Sequence, residues 1–327
     1  MGWKVDMLDY EAIHPDLRIS LNSQLMAGAA HNSGANVTWY DAFFFVASYG
    51  GLSLPFWSCS GCSDDVALKI ADRKHLTKAI LKENGFEVID GYFITNEKEL
   101  LQAYRDIGGA VVLKPSFGSM KGVGVHIDVK GERNLLDIYN NGDKKYLIVE
   151  RFLKGDEYRV LVLDGNVIAV TQRDAANVVG DGVSTIGELI DAKNKSRLPN
   201  PHLGTRPIEK NRLLEEFLAA QDLSMDSVPD LGCKVYCTHV ANFARGGDSY
   251  NVTNVFPSEV KKYVAAAVQA VPGLNLAGVD LLLSDGVPYV LEFEANPAIG
   301  CHHFPMKGEP IDVASMIWEY ACQKKRK

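Results

Sequence analysis

The segment Val111-Val-Leu-Lys-Pro-Ser-Phe-Gly-Ser-Met-Lys-Gly-Val-Gly-Val125 decides how this chain is interpreted. It predicts a strand that delivers Lys114, followed by a loop with three glycines and two serines. Glycines let backbone N–H groups approach phosphate oxygens, and a lysine offsets the phosphate charge. The segment therefore indicates a phosphate-binding loop, with a plain β-hairpin as the alternative. It is not a Walker A loop, because that motif places Gly-Lys-Ser/Thr at the start of a helix.

A second segment, Tyr146-Leu-Ile-Val-Glu-Arg-Phe-Leu153, predicts a strand that breaks into a short linker. Glu150 stands near its end, and Glu157 follows seven residues later. Backbone groups of such a linker could hold an adenine, and the carboxylate of Glu157 could accept hydrogen bonds from a ribose. Surface carboxylates without a ligand are the alternative.

The third segment runs from Gly278 to Pro297 and predicts a hairpin around Asp285-Gly286. Glu292 and Glu294 share one face of the second strand because side chains alternate, and the turn brings Asp280 alongside them. Three carboxylates on one face repel one another unless a cation lies between them. Their oxygen atoms suit magnesium held between protein and nucleotide phosphates. A solvent-exposed acidic face is the alternative.

Capping and turn signals predict the elements around these segments. Asn96 with Glu99 three residues later is typical of a helix start. Asp72 is predicted to cap the N-terminus of an earlier helix, which begins directly after it. The turn Asp164-Gly165-Asn166 predicts a hairpin, because such residues tolerate positive φ angles. The second half of the chain is therefore expected to be rich in sheet.

The chain is predicted to have three units, which its length of 327 residues permits. Residues 1–70 show no sustained period and are expected to form a small N-terminal α/β lobe. Residues 71–149 alternate helices and strands and are expected to form one compact α+β unit. Residues 150–327 are expected to form a larger unit that carries the candidate metal ligands.

Composition excludes several classes of protein. With 46% hydrophobic and 23% charged residues, the chain is neither a long disordered segment nor a fibrous repeat. Its most apolar stretch, Ala42 to Trp57, is too short and broken for the roughly 20 residues of a membrane span. A net charge of −7 gives no basic surface for nucleic acid. We expect a cytoplasmic protein without membrane or nucleic-acid partners.

In this order and spacing, the three segments resemble the ATP-grasp superfamily. The likeness covers about residues 71–320. Within the superfamily, this part of the chain is similar to the glutathione-synthetase domain of bacterial bifunctional glutathione enzymes and to cyanophycin synthetase. Its most specific part is Arg173-Asp-Ala-Ala-Asn-Val-Val-Gly-Asp-Gly-Val-Ser-Thr-Ile-Gly-Glu-Leu189, with Lys193-Asn194, Gly246–Ser249 and Val252-Thr253 after it. The resemblance implies an α+β fold in which two subdomains grip ATP.

The resemblance also implies a role for individual residues, with ATP and Mg²⁺ as the bound groups. The implied roles are phosphate binding by Lys74 and Lys114; a closing loop with Ser116, Gly118, Ser119 and Gly122; adenosine binding by Glu150, Leu153 and Glu157; magnesium binding by Asp280 and Glu292; and contact with the reacting phosphate and substrate by Arg173 and Asn177.

Two departures from the family pattern concern the reacting groups. Glu294 stands where the family usually has an asparagine, which makes it a third candidate metal ligand and leaves Asn296 to take part of the vacant role. Thr238 stands where an arginine is usual, and Arg245 stands where a threonine is usual. We expect the positive charge to have moved to Arg245, the third candidate catalytic residue. Because this region lines the substrate sites in the family, the substrates of glutathione synthesis are not expected.

Cysteine and histidine pairs add weaker candidates. Cys59 with Cys62 and Cys233 with Cys237 would supply four zinc thiolates, but the pairs are far apart in sequence, so unliganded thiols are expected. The pair His302-His303 is a substrate-side candidate beside the metal strand.

The resemblance implies a carboxylate–amine ligase in which ATP phosphorylates a carboxylate and an amine displaces the phosphate. The expected partners are a small carboxylate and an amine, such as amino acids or a small peptide, and the family also contains homo-oligomers. Two alternatives stay open: capture of the acyl phosphate by an amine of the same molecule, giving a lactam, and a nucleotide-binding protein without catalysis.

Overall fold

A computed structural model describes residues 20–118, 123–142 and 146–326 of the chain. The predicted loop residues Ser119 and Gly122 lie outside the described residues. Among those described, no helix combines the length and the apolar character that crossing a bilayer requires.

The first described part is a helix on a small sheet. Its elements are α1 (Leu21–Asn32), β1 (Asn36–Trp39), β2 (Phe44–Tyr49) and β3 (Leu52–Trp57), with antiparallel order β1-β2-β3. Two helices follow, α2 (Asp65–Ala71) and α3 (Lys74–Glu83). The Oγ of Ser20 caps α1 by accepting a hydrogen bond from the N–H of Ser23.

The second part is a four-stranded antiparallel sheet with two helices. Its elements are β4 (Gly91–Ile94), α4 (Glu97–Ile107), β5 (Val111–Pro115), β6 (His126–Val129), α5 (Glu132–Asn141) and β7 (Leu147–Arg151), with strand order β4-β7-β5-β6. As predicted, Asn96 caps α4 by accepting from the N–H of Glu99. Its core is separate and is formed by residues such as Ile94, Leu100 and Val149.

The third part contains a five-stranded antiparallel sheet and a two-stranded one. Its elements are β8 (Asp156–Leu163), β9 (Asn166–Asp174), β10 (Asn177–Val179), α6 (Ile186–Arg197), α7 (Arg212–Ala219), β11 (Lys234–Tyr236), β12 (Asp248–Asn251), α8 (Ser258–Gln269), β13 (Leu276–Ser284), β14 (Val287–Glu294), α9 (Gly300–His303) and α10 (Val313–Arg326). The strand orders are β12-β9-β8-β13-β14 and β10-β11. The predicted turns at Asp164-Gly165 and Asp285-Gly286 are confirmed, since all four residues have positive φ.

Register across the five-stranded sheet aligns charged residues from distant parts of the chain. Thr171 pairs with Arg159, Arg159 with Asp280, and Asp280 with Glu292. These residues form one row across four strands. Because side chains alternate, the opposite face carries neighbours such as Val160, which pack in an apolar core with α8.

Helix α10 closes the N-terminal core rather than standing apart. Trp318 is fully buried in one cluster with Phe45, Phe56 and Met26. This cluster also contains Leu161, from the face of the five-stranded sheet that carries Arg159. The N-terminal sheet therefore covers one end of that face and leaves the other end open.

Two observations differ from the pattern expected before α4. Asp72 was expected to cap a helix, but it has helical backbone angles and ends α2, so the N-cap of α3 is Arg73. Helix α3 packs Leu81 into the core of the five-stranded sheet, although it lies in the predicted 71–149 unit. The boundaries at residues 70 and 149 stay predictions.

Candidate active site

A cleft of about 460 Å³ lies between the four-stranded and five-stranded sheets. The smaller sheet contributes Val112 and Lys114, and the larger one contributes Arg173 and Asp280. Six of the predicted site residues line it in addition to Arg173 and Asp280: Lys74, Lys114, Glu150, Leu153, Glu157 and Glu292. The fold thus brings residues from all three sequence segments to one cavity.

The predicted carboxylate cluster is present at one end of this cleft. One oxygen of each of Asp280, Glu292 and Glu294 lies within 4.8 Å of the others. Among the described residues, these three form the one group of His, Cys, Asp and Glu side chains that lies close enough to hold a metal ion. The hairpin predicted around Asp285-Gly286 brings the two strands together, and a register shift between Leu281 and Asp280 places Glu292 opposite Asp280.

Arg159 holds two of the three carboxylates and was missed at the sequence level. Its Nε donates to Oδ1 of Asp280 at 2.7 Å, and its Nη1 and Nη2 donate to the two oxygens of Glu294 at 2.5 and 2.6 Å. The side chain is buried beside Gly278, where an added Cβ would lie 3.2 Å from Cδ of Arg159. Alternation along β8 was the available signal, since it places Arg159 on the face of Glu157.

The remaining contacts of the cluster come from the predicted phosphate-binding residues. Nζ of Lys74 lies 2.5 Å from Oε2 of Glu292, and Nη2 of Arg173 forms an ion pair with Oδ1 of Asp280. Burial alone would raise the pKa of Asp280, but Arg159 and Arg173 lower it to about 2. The carboxylate is therefore ionised at neutral pH.

Arg173 also has unused hydrogen-bonding capacity. Its guanidinium carbon lies 5.5 Å from the ring centroid of Phe243. Its Nε is buried and has no hydrogen-bond partner among the described residues. A buried donor without a partner is unfavourable, so this group favours an acceptor supplied by a ligand in the cleft.

A buried charge group lies behind the cleft. Glu150 is 1% exposed, and its Oε1 and Oε2 lie 2.7 Å from Nζ of Lys78 and 2.8 Å from Nζ of Lys114. Burial would raise the pKa of Glu150, but the two lysines lower it to about 2, while burial lowers the pKa of Lys78. Lys78 was missed, although its position four residues after Lys74 puts both on one face of α3.

The predicted adenosine residues occupy different environments. Leu153 and Glu157 line the cleft, and burial raises the pKa of Glu157. Glu150 lines it too, but both of its oxygens are engaged by lysines. The adenosine role of all three stays a prediction.

The described part of the glycine-rich loop contacts α3. Ser116 is fully buried, with its Oγ 2.6 Å from Nδ1 of His75, and its carbonyl accepts from the N–H of Lys74. Gly118 is exposed with a φ of +72°. Binding of phosphate by this loop stays a prediction.

Asn177 faces a different cavity from Arg173. Its side chain is buried and donates to the carbonyl of Ala175, and its own carbonyl accepts from Nζ of Lys193. It lines a cavity on the other side of β9. The structure does not bring Asn177 to the carboxylate cluster.

Arg245 and Thr238 line one cavity of about 260 Å³, next to α7. The two positions exchanged in the family pattern therefore border the same cavity. Arg245 is exposed and close enough to lower the pKa of His126, on β6 of the smaller sheet, although burial is the larger cause of that shift. Arg245 does not line the 460 Å³ cleft.

The weaker candidates have structural partners. Asn296 accepts hydrogen bonds from the N–H and Sγ of Cys59, so it faces the N-terminal part and not the carboxylates. His302 is buried with Nδ1 2.9 Å from Oγ1 of Thr171, and burial lowers its pKa to about 3. All six cysteines are free thiols, and no described group of them has zinc-site geometry.

Several known proteins resemble this chain in sequence and in fold. The glutathione biosynthesis bifunctional protein GshAB of Clostridium perfringens is 34% identical over 258 residues, 73% of this chain and 32% of that protein. Cyanophycin synthetase of Synechocystis is 32% identical over 277 residues, 79% of this chain and 31% of that protein. A bifunctional glutathione synthetase from Pasteurella multocida superposes with a TM-score of 0.71 at 26% identity, covering 94% of this chain and 44% of that one.

This chain belongs to the ATP-grasp superfamily. The D-alanine–D-alanine ligase of Bacillus anthracis shares the fold, with a TM-score of 0.50 at 19% identity over 81% of this chain and 71% of that one. No family model matches the sequence. The predicted α+β ATP-grasp fold is confirmed. The chain spans about a third of the length of these two curated relatives, GshAB and cyanophycin synthetase. Its own activity and substrates are therefore proposed below.

Proposed function

We propose that this ATP-grasp protein is an ATP-dependent carboxylate–amine ligase that works through an acyl phosphate. Its substrates would be a small carboxylate and an amine, such as amino acids or a small peptide. Relatives that carry the names glutathione biosynthesis protein and cyanophycin synthetase support this reaction class. The same relatives leave the two substrates of this chain open.

One observation carries the proposal: cations and carboxylates line the same cleft and are paired with each other. Lys74 pairs with Glu292, and Arg173 pairs with Asp280. Bound ATP would bring its phosphates to the lysine and the arginine, and a divalent cation would take their place on the carboxylates. This exchange keeps every buried charge compensated, as buried ions require.

Asp280 and Glu292 fit a magnesium site. Among the described contacts, Asp280 is bound through Oδ1 alone and Glu292 through Oε2 alone, so each has a second oxygen to offer. Both oxygens of Glu294 are taken by Arg159. Two carboxylates with substrate phosphates and water are the usual surroundings of magnesium. The ion, when bound, would supply neutralisation of the charge on the phosphates.

The residues of the cleft would act by positioning and by charge. Lys74, Lys114 and Arg173 would bind the phosphate oxygens while a carboxylate oxygen attacks the terminal phosphorus and ADP leaves. The amine nitrogen would then attack the acyl carbon, lose a proton and release phosphate. No nucleophilic serine or cysteine is needed, and the closed cleft would keep water from the acyl phosphate.

ADP release from Mg-ATP tests the proposal across pairs of amino acids and dipeptides, with each compound also tested alone and product masses recorded. Activity that needs two compounds is expected, with a product mass equal to their sum less water. Asp280→Ala is expected to abolish it, and Glu292→Gln is expected to lower it about 100-fold or more. Asp65→Ala, which changes an exposed carboxylate of α2, is the matched control.

Other outcomes point elsewhere. Turnover of one compound with loss of water would replace the two-substrate ligase by lactam formation. ATP binding without ADP release under any pair would favour a non-catalytic nucleotide-binding protein. Melting curves of Asp280→Ala and Glu292→Gln separate loss of chemistry from loss of fold.

A further inference from the structure

A second cavity, of about 590 Å³, lies on the opposite face of the five-stranded sheet from the cleft. Gln172 and Tyr250 pair across β9 and β12, and both line this cavity. Arg173, the next residue on β9, lines the cleft. Because successive side chains of a strand point to opposite faces, the sheet separates the two cavities. A molecule bound in the second cavity cannot reach the Asp280 cluster.

Three lysines from three separate segments line the second cavity. Lys193 comes from α6, Lys234 from β11, and Lys307 from the segment after α9. Nζ of Lys307 lies 5.5 Å from the ring centroid of Tyr250, and no carboxylate of a described residue lies within ion-pair distance of it. The ammonium group of Lys307 is exposed and faces the cavity without a counter-charge from the described chain.

The carboxylates near the cavity do not balance its cations. Asp248 is buried and accepts from Lys193 at 2.7 Å and from Arg197 at 2.5 Å, so one carboxylate meets two cations. Lys234 pairs with Asp174 at 2.5 Å. Among the charged residues that line the cavity, three lysines (Lys193, Lys234 and Lys307) accompany one carboxylate, Asp248, so the lining has an excess of two positive charges. This excess is notable in a chain whose net charge is −7.

The rest of the lining combines apolar and amide groups. Val178, Val179 and Met306 supply apolar surface. The side-chain amide of Gln172 has no hydrogen-bond partner among the described residues. Small-molecule sites of a few hundred Å³ typically combine an apolar wall with a few polar groups. The cavity therefore has the makeup of a binding site for a small organic molecule.

We propose that this second cavity binds a small organic dianion with two carboxylates, independently of the ATP-grasp cleft. Two carboxylates would neutralise the excess of two positive charges. The ammonium groups come from three separate segments, which suits charges at the two ends of one molecule better than a single compact phosphate. The carbon chain between the carboxylates would lie on Val178 and Met306.

Isothermal titration with succinate and with glutarate tests the proposal, using succinamide as the neutral control and inorganic phosphate as the competing anion. One saturable site per chain is expected for a dicarboxylate, and none for succinamide. Lys307→Gln and Lys234→Gln are expected to weaken binding about tenfold each, as loss of a charge-assisted hydrogen bond does. Lys262→Gln, an exposed lysine of α8, is the matched control.

Three results would overturn the proposal: no saturable binding of either dicarboxylate, unchanged affinity in both cavity variants, or tighter binding of phosphate than of the dicarboxylates. Lys114→Gln separates the two cavities, because it changes the cleft and is expected to leave dicarboxylate affinity unchanged. ATP binding by Lys307→Gln, measured in the same titrations, shows that this variant is folded. The outcome does not depend on whether the cleft catalyses amide formation.

Discussion

Both carboxylate oxygens of Glu294 are bound by the guanidinium group of Arg159, whose Nε also binds Asp280. One buried cation thus compensates the carboxylate that departs from the family pattern and orients the carboxylate expected to hold magnesium. Bidentate pairs of this kind fix geometry as well as charge. Arg159 therefore serves to position the acidic cluster.

Arg159→Met should destabilise the protein strongly. It leaves Asp280 and Glu294 close together without their shared cation, and breaking a buried ion pair from one side costs about 3–5 kcal/mol. Chemical denaturation measures the free energy of unfolding. Arg212→Met, which removes an exposed arginine, should change it by less than about 0.5 kcal/mol. A loss for Arg159→Met as small as that of Arg212→Met would contradict the positioning role.

Glu294→Gln and Glu292→Gln should separate a counter-ion from a metal ligand. With both oxygens of Glu294 held by Arg159, we expect Glu294→Gln to retain ADP release within about tenfold, whereas Glu292→Gln should lose about 100-fold or more. Turnover at several magnesium concentrations is the measurement. Equal loss in both variants would make Glu294 a third ligand.

Glu150→Gln should destabilise the fold, because Lys78 and Lys114 would remain buried without a negative partner. We expect a loss of about 3–5 kcal/mol in the free energy of unfolding. The double variant with Lys78→Met should recover part of it, since one unpaired charge is removed. A double variant less stable than Glu150→Gln would show that Lys78 contributes by its contacts and not by its charge.

His302 should make stability depend on pH. Its folded pKa is about 3 because of burial, well below that of an unfolded histidine, so the unfolded state takes up a proton first as pH falls. Stability from this group is complete above about pH 6.5 and is lost towards pH 3. Between about pH 7 and pH 5, the difference is about 2 kcal/mol.

Denaturation at those two pH values compares the natural chain with His302→Gln. The variant should lose about 2 kcal/mol less than the natural chain on acidification. His31→Gln, at an exposed position of α1, is the control and should follow the natural chain. An unchanged pH slope in His302→Gln would assign the loss to other groups.

Arg245→Ala tests whether the positive charge moved from position 238. Arg245 shares a cavity with Thr238 and lies near the smaller sheet, so we expect its loss to lower turnover about tenfold without changing ATP affinity. Arg212→Ala is the matched control on α7. Full turnover in Arg245→Ala would end its candidacy as a catalytic residue.

Local sequence signals predicted those parts of the structure that depend on residues close together in the chain. The Asp285-Gly286 turn adopts positive φ as its composition predicts, and it sets the register of the hairpin as far as the pair Leu281 and Val290. An irregularity beyond that pair, which the turn does not predict, shifts the register by one residue and places Glu292 opposite Asp280. The same reasoning predicted the start of α4 at Asn96. Both features depend on residues a few positions apart, where turn and capping preferences dominate.

Long-range pairing explains what the sequence did not reveal. Arg159 meets Asp280 only because β8 pairs with β13, 121 positions away. The cavity that Arg245 and Thr238 line next to α7, and the side of β9 that Asn177 faces, depend on packing between elements. Helix boundaries also depend on neighbours, as Asp72 shows by ending α2. Periodicity and capping carry no information on such pairings.

The packing of α10 against α1 and β3 has a consequence during synthesis on the ribosome. Residues 20–57 emerge well before Trp318 and Ile317, which complete their core. At translation rates of about 5–20 residues per second, the early segment waits on the order of ten seconds or more for its partner. Because α10 is absent during that interval, we expect the apolar surface that it covers in the folded chain to be exposed and to bind chaperones that shield apolar surface.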